Sequence, residues 1–166
     1  MNVSPPLLVL YIGLLLAAFT DVRWGRIPNA LTMPMMALGI VMHLTLGPDP
    51  WFGLIGCAAA FALHFSLFAL GLEKAGDAKL LMGLGALVGW VEMVEASVWM
   101  AVLYLPVGLA VLAWRGKLGG LVAAARWSAN RALGKEVGER PDATWLIAGP
   151  LIAVAGLIGS LTDLPR

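Results

Sequence analysis

Residues 7–29 read LLVLYIGLLLAAFTDVRWGRIPN. The run 7–20 is apolar without interruption by charge, and Asp21, Arg23 and Arg26 then follow within six positions. A bilayer core takes roughly 20 mostly apolar residues per helical span. The stretch therefore reads as a first membrane helix that meets water at its C-terminal end. The residues before it, MNVSPP, carry no Lys or Arg. A cleaved signal peptide wants a basic start, so the span is expected to be retained.

The same pattern repeats along the chain. Of 166 residues, 60% are hydrophobic and 13% charged, and the mean hydropathy is +0.88. This composition excludes a water-soluble globule, a disordered tail and a nucleic-acid binder with a basic face. It predicts an all-α, polytopic integral membrane protein of about six transmembrane helices, in a single domain over residues 1–166. Five further spans are expected near 29–46, 51–72, 80–94, 96–114 and 143–161. The breaks between them are the turn cluster 47–50, the charged segment 73–79, a turn at 92–97 and a long loop at 115–142. The single Cys57 allows no internal disulfide and no paired-cysteine metal clip.

Charge then orients the bundle. The net charge is only +1, but its distribution is lopsided. With six spans, one side receives 21–28, 73–79 and 115–142, which carry ten of the 11 Lys and Arg residues. The other side receives Arg166 alone. The positive-inside rule places the first side in the cytoplasm, with both termini outside. Within the long loop, Leu118, Leu121, Val122, Ala125, Ala129 and Leu133 recur at near-helical spacing. They admit either an amphipathic helix on the inner leaflet or a solvated basic loop. Trp51, Trp90, Trp99, Trp114 and Trp145 fall near expected span ends and suit interface anchors.

Two carboxylates share one membrane depth: Asp21 closes the first span and Asp77 opens the fourth. Ionisable groups at membrane level are costly and tend to be functional. Two carboxylates that meet across a bundle repel, and share a proton. One then serves as base toward water, while the other polarises a carbonyl and protonates a leaving amine. That is the chemistry of aspartic peptide hydrolysis. Plain flanking charges would have the same spacing.

The words around them narrow the choice. TDVRWGRIPNALT at 20–32 resembles the first signature of the type IV prepilin peptidases, and AGDAKLL at 75–81 resembles their second, the GxGD-type motif. The small form resembles the CpaA/TadV-like branch, which serves Flp-type pili. The resemblance covers the chain to about residue 92, and beyond that only in architecture. It implies a GxGD-type aspartic protease-like bundle with Asp21 and Asp77 as the catalytic pair. The implied substrates are prepilin or pseudopilin precursors, cut at the cytoplasmic face of a bacterial inner membrane after a Gly. It also implies a place beside pilus or secretion machinery. The larger members add a cysteine cluster and a methyltransferase activity; neither is expected here, nor any metal or cofactor. The first Gly of GxGD is Lys74 in this chain, and Lys reaches positive φ less cheaply than Gly, so a different loop geometry is expected.

Supporting roles follow from position. Gly76 lets backbone approach closely or starts the fourth helix. Pro28 is expected in the first turn of the second helix, and Asn29 caps it or orders the loop before it. Arg23 and Lys79 anchor lipid headgroups or orient the aspartates. Gly85 and Gly89 form a GxxxG that would draw the fourth span, with Asp77, toward the first. His64, well inside the third span, is read as a neutral ring bonded to a neighbouring helix. Two other functions fit parts of this pattern: a non-catalytic assembly factor, and a small proton- or cation-coupled transporter. The transporter would want acids near the midplane, whereas the clear acids lie at span ends.

Overall fold

A computed structural model describes residues 4–114, 116, 118–139 and 149–162. All regular structure within them is helical: α1 Pro5–Trp24, α2 Asn29–Leu46, α3 Phe52–Ala69, α4 Ala75–Val88, α5 Trp90–Trp114, α6 Leu118–Ala132 and α7 Gly149–Thr162. Four of these, α1, α2, α3 and α5, are long and apolar enough to cross a membrane. The helices α4 and α7 have 14 residues each, or about 21 Å of rise, short of a hydrocarbon core about 30 Å thick.

The surface has the character of a protein dissolved in lipid. On α1, Leu10, Leu14, Ala17 and Asp21 are buried, while Leu8, Ile12, Leu15 and Phe19 on another face are exposed. Both faces are equally apolar above Asp21. An exposed stripe of this kind needs lipid rather than water against it.

Short α4 lies at the centre. It buries Ala78, Leu80, Leu81, Leu84, Ala86 and Leu87, and packs on α1, α2, α3, α5 and α7. A helix wrapped in protein on every side need not match the bilayer thickness. Its neighbours approach through glycine. A Cβ on Gly39 of α2 would fall 2.6 Å from the Ala86 backbone, one on Gly53 of α3 2.8 Å from Ala86 O, and Gly56 of α3 meets the Gly85 backbone more closely still. Gly85 therefore seats α4 on α3. The GxxxG was expected to draw α4 toward α1; it serves the opposite neighbours.

Several boundaries differ from the expected ones. The break between the fourth and fifth spans is at Gly89, not at 92–97. Gly89 takes φ +98, and a side chain there would run into the Phe52 ring. Glu92 then lies in the first turn of α5, where the helix dipole favours an acid. Trp99 consequently falls inside α5, while Trp51, Trp90 and Trp114 stand at helix ends and are exposed. The amphipathic helix in the long loop forms as α6, with Val122 exposed, Leu133 exposed just after its end, and Arg131 stacked over Trp127 at 5.1 Å. The last helix is described from Gly149 onward; residues 143–148 of its expected span, and Trp145, lie outside the described residues.

Candidate active site

Asp21 is set by the way α1 stops. The helix continues past the apolar run through Trp24, then Gly25 adopts φ +66 and donates its N–H to Asp21 O at 2.8 Å. A left-handed glycine after the last turn is a common helix stop. Asp21 thus occupies the final turn rather than the loop, with 1% of its surface exposed.

One oxygen of Asp21 is already engaged. Oδ2 accepts the backbone N–H of Gly149 at 2.7 Å. This donor belongs to the first described residue of α7. The approach has no room for a side chain: a Cβ on Gly149 would lie 2.7 Å from Asp21 Cβ and 3.1 Å from Ala17 O. Gly149 was not singled out in the sequence. Its only local signal is a Gly-Pro pair inside an apolar run, which many helices share.

Asp77 arises at the opposite polarity of a helix. A left-handed Gly71 closes α3, with its N–H on Phe68 O and that of Leu72 on Leu67 O, the paired C-terminal bonds of a Schellman motif. The chain then extends through Lys74, at φ −84 and ψ 149, and α4 begins. Asp77 is the acidic residue of its first turn. Lys74 needs no positive φ, so its replacement of Gly leaves no strain in the turn. Gly76, the second residue of α4, packs on Ile27, where a Cβ would stand 3.4 Å from Ile27 Cβ. It acts as a helix-start residue in close contact with the α1–α2 loop.

Asp77 lies outside the four span-length helices and is 5% exposed. Burial pushes its pKa up from the usual 3.8 to about 7; Lys74 opposes the rise, and the charges of Asp21 and Glu73 add to it. Asp21 thus lies near enough to act on Asp77 through its charge. A cleft of about 150 Å³ opens beside Asp77. Glu73, Lys74 and Asp77 form its charged wall, facing Leu67, Leu72, Met100 and Tyr104. Asp21 is not one of its lining residues.

The remaining expected residues divide. Lys79 Nζ donates to Asn29 Oδ1 at 2.9 Å and ties α4 to the start of α2; Asn29 orders this junction. Pro28 stands one position before α2, extended at φ −75, and its carbonyl accepts the N–H groups of Leu31 and Thr32. It is therefore the residue preceding the first turn rather than part of it. Arg23 is exposed and makes no ion pair or hydrogen bond among the described residues. Thr32 is fully buried, with no partner for its hydroxyl among the described residues. His64 is bonded to a neighbouring helix, as expected, through Ser97, and also to Glu73. His43 Nε2 meets Leu87 O at 3.0 Å, at the far end of α4. Among the described residues, His, Cys, Asp and Glu do not gather in threes as a metal ion requires.

Comparison with known proteins bears on the region from α1 to α5. The model of the type IV leader peptidase family matches residues 8–111. Prepilin peptidase EppA of Methanothermobacter thermautotrophicus is 33% identical over 91 residues, 49% of this chain and 24% of that protein. The match thus spans about a quarter of the relative's length. No solved structure matches.

Proposed function

Because the chain belongs to the type IV leader peptidase family, we propose that it is an aspartic endopeptidase that removes the leader from prepilin or pseudopilin precursors, with Asp21 and Asp77 as the catalytic pair. The observation that carries this reading is two buried aspartates, within electrostatic reach of each other, in a helical bundle whose family is that of leader peptidases.

The division of labour follows from their surroundings. Asp77, raised by burial and by neighbouring negative charge, holds the shared proton. Asp21, with Oδ2 held by Gly149, presents its other oxygen to water. Asp21 takes a proton as the water oxygen adds to the scissile carbonyl carbon, and Asp77 donates its proton to the carbonyl oxygen. The tetrahedral diol then collapses. Asp77 recovers a proton from one hydroxyl, Asp21 gives its proton to the amide nitrogen, and the C–N bond breaks. The pair returns to one proton, and one water has been consumed.

The apolar wall of the cleft, Leu67, Leu72 and Met100, suits a hydrophobic substrate helix, and the charged wall suits the unwound peptide at its end. The distribution of Lys and Arg supports an inner-membrane protein with the site on the cytoplasmic side and both termini outside. It also supports α6 lying on the inner leaflet. The resemblance to the CpaA/TadV-like branch favours Flp-type pilins as substrates, and assembly machinery of such a pilus as neighbours.

Co-expression with a pilin precursor from the same genome tests the proposal. Wild type is expected to shorten the precursor, and Asp21→Asn and Asp77→Asn to leave it intact at equal membrane levels. Full cleavage by either variant would remove the pair from the mechanism.

A further inference from the structure

Behind the charged wall of the cleft lies a second ionisable cluster. His64 of α3 is fully buried. Its Nδ1 stands 2.9 and 3.2 Å from the two carboxylate oxygens of Glu73, and its Nε2 stands 2.9 Å from Ser97 Oγ on α5. Ser97 Oγ donates to Met93 O at 2.7 Å. The Glu73 carboxyl and the Ser97 hydroxyl thus engage the two ring nitrogens of His64 and fix the ring between them. Glu73 is itself 7% exposed. A carboxylate so buried is costly to keep charged unless paired. The cluster links α3, the α3–α4 connection and α5, and its acidic end lies in the same cleft wall as Asp77.

We propose that His64 and Ser97 are positioning residues that hold the Glu73 carboxylate in place beside Asp77. The inference rests on the aspartic reading of Asp77. Among the described residues, three charged groups act on Asp77. Lys74 and Glu73 come from its own segment and Asp21 from α1. His64 reaches it from α3 only through Glu73, and Tyr104 shares the cleft from α5. The helix α7 has no titratable side chain, and the His43 of α2 is bonded at the other end of α4. The Glu73 charge helps Asp77 keep its proton, and His64 keeps that charge in place.

The test is a pH–rate profile of precursor cleavage by the full chain in proteoliposomes. Glu73→Gln is expected to move the alkaline limb to lower pH by about half a unit or more. His64→Gln is expected to move it the same way, Ser97→Ala less far, and the double variant His64→Gln/Glu73→Gln no further than Glu73→Gln alone. Glu73→Asp, which keeps the charge, should restore much of the wild-type limb. A change in rate at every pH with the limb unmoved, or additive shifts in the double variant, would overturn the relay and leave the peptidase reading intact. If wild type does not cleave, the peptidase reading falls. The relay is then judged by thermal unfolding of the purified chain against pH. The part of that curve lost in Asp77→Asn must move to lower pH in Glu73→Gln and His64→Gln; if it stays in place, the relay fails too.

Discussion

The two aspartates are seated in contrasting ways. Asp21 ends a long helix that has a lipid-exposed face, is stopped by a left-handed glycine, and has one oxygen fixed by a backbone N–H from α7. Asp77 opens a short helix enclosed by protein and borders a cleft shared with Lys74 and Glu73. The first is held by geometry, the second biased by its electrostatic surroundings. A pair of identical side chains can thereby take different roles: separation of acid and base comes from what surrounds each one, not from residue type.

The contrast can be broken most directly at the side chains themselves. Asp21→Asn and Asp77→Asn should each lower precursor cleavage by about 10²–10⁴-fold, the usual cost of losing a positioned acid or base. Cleavage followed in membranes at matched protein levels checks this. A smaller loss is expected from Gly149→Ala, whose methyl would push α7 away from Asp21. Displacements of about 1 Å can cost up to 10²-fold, so a fall of about 10- to 100-fold should appear in the rate, with the protein still folded.

Asp77 makes a pH prediction that Asp21 does not. Its pKa is raised from 3.8 to about 7, so the folded state binds this proton more tightly than the unfolded chain. The stabilisation is complete below about pH 4 and is lost as pH rises through about 7. Unfolding midpoints should therefore fall over that interval, and Asp77→Asn should flatten the fall. Cleavage should also decline above about pH 7 as the shared proton leaves, by about tenfold per unit well beyond it. The smallest effect belongs to neither aspartate. Thr32→Val replaces a buried hydroxyl that has no partner among the described residues. It should stabilise the chain by about 1 kcal/mol in denaturant titration. A loss of cleavage at unchanged stability would instead give that hydroxyl a part in the site.

The parts of this arrangement that could be read in the sequence were the local ones. Apolar runs bounded by charge and by glycine or proline gave α2 to the residue and α1 and α3 within about a turn, with Asp21 and Asp77 near the ends of their helices. The α4–α5 break was misplaced because Glu92 and Glu95 look like a loop in a hydropathy pattern. The chain turns instead at Gly89, which takes a positive φ and whose place against the Phe52 ring on another helix leaves no room for a side chain. The hydrogen bond to Asp21 could not be foreseen, since its donor is a backbone N–H 128 positions away. His64 stood out as an ionisable group within a span, but its pairing with Glu73 depends on how sharply α3 turns back at Gly71.

The span of 128 positions between Asp21 and Gly149 also sets a timetable. The first helix leaves the ribosome early, and its aspartate waits while the rest of the chain is made. Its N–H partner arrives only with α7. Proteolytic competence should then be acquired late in biogenesis, as a step after the earlier helices have assembled. Nascent chains arrested before residue 149 in membranes should accumulate without cleaving precursor, and chains released past α7 should cleave it. On the proposed peptidase reading, such an order would keep a half-built chain inactive among the membrane helices being inserted around it.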